Sequence, residues 1–167
     1  MRLSLFAAAV AVVLGAAPAF AGDIAKPTGT PVLQVTGLIT NTTDGKTAEF
    51  DLAGLEALGM HTTTTKTPWY DGAKTFEGPL GSALLDAVGA TGTTLKVTAL
   101  NDYVTEIPVA DFREHPVILA TKLDGEPMSV RDKGPIFVIY PFDDEPALNN
   151  ETYFGRSAWQ VKSIEVF

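Results

Sequence analysis

The chain has 167 residues, 46% of them apolar and 19% charged, which is the length of one domain with apolar side chains enough for a core, and excludes a largely disordered polypeptide. Its 20 Asp and Glu against 12 Lys and Arg leave a net charge of −8, a field that repels phosphate backbones and speaks against a nucleic-acid binder. There is no Cys, so disulfides, thiolate zinc sites, iron–sulfur clusters and cysteine nucleophiles are all excluded.

Residues 1–21 read as a secretory signal peptide. Arg2 gives a positive start, Leu3 to Ala17 is an almost unbroken apolar run, and Ala19-Phe20-Ala21 is a small-x-small cleavage site before Gly22. The expected location is periplasmic. Residues 22–31, rich in Pro, Gly and Thr, read as a linker, and residues 32–167 as one domain. Within it Val32 to Thr40 reads as a strand, the Asp44-Gly45 turn as a hairpin signal, and Ala48 to Phe50 as a short strand. Asp51 is placed to cap a helix with Leu52, Leu55 and Leu58 on one face and Gly59 at its close. Met60 to Thr67 is extended or looped, and Trp69-Tyr70-Asp71-Gly72 follows Pro68 in a turn.

Pro79 is expected to open a second helix, with Leu80, Leu84, Leu85 and Val88 on one face and Gly89 as its end. Leu95 to Leu100 and Tyr103 to Ile107 read as strands around Asn101-Asp102, and Val109 to Arg113 as a single helical turn. Val117 to Leu123, Pro135 to Tyr140 and Val161 to Val166 complete the strands. Strands outnumber helices, which gives an α+β, mainly β class.

The familiar catalytic arrangements are missing. His61 and His115 lie far apart without metal-ligand spacing, and there is no GxSxG, P-loop or GxGxxG. Asp143-Asp144-Glu145 reads as a solvated acidic loop. What remains is a set of aromatic and polar side chains near loops: Trp69, Asp102, Tyr103, Arg156, Ser157 and Trp159. Aromatic faces stack on a flat heterocycle, and Arg or Asp supplies directed hydrogen bonds to its edge. The competing reading makes both tryptophans partly buried core residues.

From Phe76 to Val166 the order of motifs resembles the molybdopterin-binding domain of the sulfite oxidase family. The similarity is carried by Phe76-Glu77-Gly78-Pro79-Leu80, Asn101-Asp102-Tyr103 with Ile107-Pro108, Asp124-Gly125-Glu126-Pro127, Gly134-Pro135, and Arg156-Ser157 before Val161-Lys162-Ser163-Ile164. The resemblance implies a single mainly-β domain built around a pterin cleft. It also implies a catalytic cysteine near Thr62 to Thr67, where this chain has none, and a lysine near the cofactor phosphate about where Trp159 stands. Threonine does not replace a soft thiolate on molybdenum. These departures are similar to one branch of the family, small periplasmic proteins that bind a reduced free pterin and regulate a membrane-bound diguanylate cyclase/phosphodiesterase through its periplasmic domain. On that resemblance the chain is expected to bind a reduced pterin, to carry no metal and no catalytic residue, and to act on such a cyclase. Trp69 or Trp159 would stack on the ring, Asp102 would pair with its amino edge, and Arg156 and Ser157 would serve its oxo group or hydroxyls. The alternative is a molybdenum-cofactor-dependent oxidoreductase or a subunit of one, and a third reading is a structural domain with a vestigial cleft.

Overall fold

The computed structural model describes residues 24–167, so the leader expected at residues 1–21, with its cleavage before Gly22, lies outside the described residues. The domain is built mainly from strands. Strand β1 (Leu33–Gly37) alternates, with Leu33 and Val35 buried and Gln34 exposed, the period of a strand with one covered face. Antiparallel β2 (Ala48–Phe50) runs beside it, and Asp51 caps helix α1 (Leu52–Glu56) by accepting from the Gly54 N–H, as its position before an apolar spacing predicts. The Thr-rich run is a strand, β3 (Met60–Thr67), paired along its length with β4 (Tyr70–Pro79). Thr63 and Thr65 are buried and their neighbours exposed, so β-branched side chains sit on a pleated surface that suits them. Only Pro68 and Trp69 form the turn; Tyr70, Asp71 and Gly72 already belong to β4.

Pro79 does not open the second helix. It ends β4 opposite Met60, and helix α2 (Gly81–Val88) starts two residues later, where the Gly81 N–H donates to Val117 O. Gly78 makes this crossing feasible, because a Cβ there would collide with the carbonyl of Leu119. The face of Leu84, Leu85 and Val88 is buried as the spacing requires, and Gly89 closes the helix in the left-handed conformation at φ 60°.

Strands β5 (Thr94–Ala99) and β6 (Val104–Pro108) form the expected hairpin, followed by helix α3 (Val109–Glu114). The stretch read as one strand from Val117 to Leu123 is two. Strand β7 (Ile118–Ala120) pairs with β10 (Phe137–Ile139), whereas β8 (Lys122–Leu123) pairs with β4 and with β9 (Glu126–Pro127). Thr121 is the switch between the two sheets: its N–H donates to Glu77 O and its hydroxyl to the Glu56 carboxylate, 3.0 Å away. The segment before the last strand is not all loop, since Glu151–Arg156 is helix α4. Finally β11 (Val161–Val166) inserts between β1 and β5, parallel to the first and antiparallel to the second, giving the order β2-β1-β11-β5-β6.

Two apolar clusters result. The larger lies between the five-stranded sheet and helices α1, α2 and α3, around Leu33, Val97, Leu84 and Phe112. The smaller is Phe76, Ile118, Ala120, Met128, Phe137 and Ile139, where β4, β7 and β10 meet. Fully burying one such side chain contributes about 1.5–3 kcal/mol before conformational entropy is counted. Among the described residues no helix is long and apolar enough to cross a membrane.

Candidate functional site

A cavity of about 310 Å³ opens where the β3–β4 turn, the end of β5 and helix α4 converge, within the size range of small-ligand sites. Trp69 reaches it from the hairpin tip. Its ring meets Phe137, Phe154 and Trp159 edge-on, with centroids 5.3, 6.0 and 5.8 Å away. These tilted arrangements place the positive edge of one ring against the negative face of the next. Trp159 forms an isolated bridge with Phe137 and stays 36% exposed, so much of its indole remains open to a ligand.

Tyr103 and Asn101 supply the wall on the β5–β6 side. The Tyr103 hydroxyl donates to Gly155 O at 3.0 Å, which ties this turn to the end of α4. Helix α4 contributes Glu151, Phe154 and Gly155, three positions that its 3.6-residue period puts on one face. Ser157 and Ala158 complete the floor. The Ser157 hydroxyl donates back to Tyr153 O at 2.9 Å, so this residue offers the cavity its backbone and Cβ more than a free hydroxyl. Glu151 is the single charged side chain among the lining residues.

The structure therefore brings together Trp69, Tyr103, Ser157 and Trp159, and leaves Asp102 and Arg156 out of the lining. Asp102 occupies a left-handed turn position at φ 63°, and its largely exposed carboxylate accepts from Lys162 Nζ at 2.6 Å. The Lys162 hydrogen bond and charge hold that carboxyl below the usual carboxylate range. Arg156 turns to the other face of α4. Its guanidinium donates to Asp111 Oδ2 at 2.9 Å and lies over the Tyr153 ring. Asp111 is buried and also accepts the Tyr140 hydroxyl at 2.8 Å. Burial first, and then the Asp111 charge, push the Tyr140 hydroxyl far up from its ordinary value, so it stays a donor at any physiological pH. Asp102 and Arg156 thus hold walls in place. In the β5–β6 turn and on α4 the charges spend themselves on nearby protein partners, which costs less than facing a cavity unpaired.

Sequence reasoning missed Glu151 and Phe154. The signal was there: Asn150, whose side chain accepts from Thr152 N–H, is a preferred helix-capping residue, and an acid follows it. The acidic loop expected at Asp143-Asp144-Glu145 is tied to the protein. Asp143 accepts from the Lys66 N–H at 3.1 Å and donates its own N–H to Thr65 at 3.0 Å, while Glu145 meets His115 at 2.6 Å. Thr62 to Thr67, where the sequence resemblance implies a cysteine, is β3, with its hydroxyls in place of a thiolate.

The donor set does not fit a molybdenum centre ligated by the protein. The chain has no thiolate to offer, and among the described residues no cluster of three or more His, Asp or Glu gathers as for a metal ion. Nor does the cavity suit a phosphate group, since its lining includes no Lys or Arg.

Comparison with known proteins agrees with the fold. The family described as oxidoreductase molybdopterin binding domain matches residues 33–143. Among solved structures, the sulfane dehydrogenase SoxCD from Paracoccus pantotrophus is similar over 81% of this chain, with a TM-score of 0.59 and 16% identity. That overlap spans 37% of the other chain, and the likeness is one of fold. Among curated proteins none matches the sequence.

Proposed function

The chain belongs to the oxidoreductase molybdopterin binding domain family, and on that premise we propose that it binds a reduced pterin ring against the exposed face of Trp159, beside Trp69, and signals its presence without catalysis of its own. The observation that carries this reading is the cavity itself. Two indoles and Phe154 wall it, no cation lines it, and no thiolate exists in the chain to hold a metal. An aromatic slot of this kind gains from the ring's faces through stacking, while lining polar groups set its orientation. The ring would replace water over the exposed face of Trp159.

A domain that only binds needs a receiver. By resemblance this is the periplasmic domain of a membrane-bound diguanylate cyclase/phosphodiesterase, and the leader read at residues 1–21 would deliver the chain to the same compartment. The receiver must bind the loaded and empty forms with different affinity, because a ligand without such a difference shifts no equilibrium. A coupling of about 5- to 150-fold is typical.

The comparisons support a second reading more directly than they support the regulatory one. Family and fold both lead to molybdenum oxidoreductases, so the chain could serve as such an enzyme or as a subunit of one. Bound there, a molybdenum cofactor would supply the redox chemistry, with a metal that takes no sulfur from this protein.

One preparation separates the readings. Protein purified from a native host is analysed for molybdenum by elemental analysis and for released pterin by fluorescence. Pterin without stoichiometric metal is the expected result. About one molybdenum per chain, with turnover of sulfite or a sulfoxide, overturns it in favour of the oxidoreductase. Neither ligand, in protein that also fails to bind added pterin, leaves a structural domain.

A further inference from the structure

The cavity carries one feature that stacking does not explain. Glu151 lies in the first turn of α4 on the face shared with Phe154 and Gly155, and its carboxylate has no hydrogen-bond or ion-pair partner among the described residues. Exposed to water, it needs no protein partner, and it is the one charged side chain that a ligand in this cavity would meet. The two cations best placed by sequence to answer it are spent elsewhere, Arg156 on Asp111 and Lys162 on Asp102. Asn101 has its side-chain oxygen occupied by the Tyr103 N–H.

We propose that Glu151 selects the ligand: its carboxylate takes the donor edge of a 2-amino-4-oxo heterocycle, the amino group and the adjacent ring N–H, and repels forms of the same ring that carry a phosphate. This deepens the pterin-binding reading and rests on it. The role assigned from sequence to Asp102 passes to a residue 49 positions away, because the Asp102 carboxylate is paired with Lys162 and lies outside the cavity lining. The chemistry is complementary in both directions. A carboxylate has acceptors only, so it pairs with two parallel N–H groups and has nothing to offer an oxo group at the same position. A phosphate ester brings like charge into a site with no cation to answer it.

The test uses anaerobic calorimetric titration of the protein freed of its leader by export, with three probes: 7,8-dihydro-6-hydroxymethylpterin, 7,8-dihydro-6-hydroxymethyllumazine, in which oxygen replaces the 2-amino group, and the phosphate ester of the first. Wild-type protein is expected to bind the pterin roughly tenfold or more tightly than either of the others, the usual weight of a charged hydrogen bond. Glu151→Gln should weaken the pterin, and should bind the ester better relative to the pterin than wild type does. Its melting temperature should change little, because the side chain is exposed and isosteric. Equal affinities for pterin and lumazine, or ratios that Glu151→Gln leaves unchanged, overturn the role of Glu151 while pterin binding stands. Tighter binding of the ester overturns it too, in the direction of a phosphorylated cofactor. Binding of none of the three overturns the pterin reading itself.

Discussion

Trp69 and Trp159 face the same cavity but answer to different forces. Trp69 packs against both apolar clusters, edge-on to Phe137 and Phe154, so its indole belongs to the core as much as to the site. Trp159 is 36% exposed and has less to lose. Trp69→Ala is therefore expected to cost up to about 3 kcal/mol of stability, the lower end of the range for truncating a core aromatic, since Trp69 is partly buried. Trp159→Ala should keep the fold and weaken binding of 7,8-dihydro-6-hydroxymethylpterin several-fold or more, from a lost stacking contact worth about 0.5–1.5 kcal/mol beyond its area. Denaturant melts and titrations of the two variants check this. If Trp159→Ala unfolds at the same denaturant concentration as Trp69→Ala, Trp159 is a core residue. Of the sequence's two readings, partial burial in the core describes Trp69, and stacking on a ligand is the role proposed for Trp159. The aromatic residues singled out from sequence, Trp69, Tyr103 and Trp159, line one cavity. The sequence misplaced Asp102 and Arg156 because a charged residue's partner is set by tertiary distance. Lys162 lies 60 positions from Asp102 and Asp111 lies 45 from Arg156, separations that no local pattern reveals.

At the scale of elements, local chemistry was legible wherever one residue does one job. Asp51 caps α1, Gly89 ends α2, and Val161–Val166 is the last strand, as expected. It was not legible where a residue answers to two elements. Pro79 looks like a helix start but is the last rung of β4, and Thr121 divides an apolar run because it bonds to Glu77 and Glu56. Asp51 also does a second, unforeseen job. Its carboxylate accepts from the Thr28 and Gly29 N–H groups as well as from Gly54, which fastens the segment before β1 to the start of α1. These backbone donors, Gly29 first, hold its carboxyl below the usual range. A carboxyl depressed in the folded state adds stability above its unfolded pKa, and that stability is lost as pH falls through the folded value. Wild type should accordingly lose melting temperature as pH drops below about 4. Asp51→Asn should melt lower at pH 7 and show a shallower fall in that acid window. A variant whose melting temperature tracks wild type in parallel from pH 7 to pH 2 would remove the carboxylate's charge from the account.

The whole molecule is held by joints between sheets. Strand β11 closes the largest sheet by lying parallel to β1, so the two ends of the domain are neighbours in one ladder. The two apolar clusters meet at a second joint, where Trp69, Phe137 and Trp159 touch one another edge-on and the Phe137–Trp159 bridge links β10 to the segment before β11. The cavity lies at this joint, and both of the protein's tryptophans are in it. A ligand site placed there is rigid only if the clusters do not come apart separately. Tryptophan fluorescence reports the joint, whereas far-UV circular dichroism reports the sheets and helices on both sides of it. A domain of this size is expected to unfold in one cooperative step, and the shared aromatic contacts give that step a physical cause. The two signals should therefore share a single denaturant midpoint, and a pterin bound at the joint should raise both midpoints together, as ligand binding to the native state alone requires. A fluorescence transition that precedes the loss of secondary structure would show the joint opening while the sheets persist. The cavity would then be a loose seam between two independent clusters, and the tight pairing of ring and carboxylate argued for Glu151 would lose the fixed walls it needs.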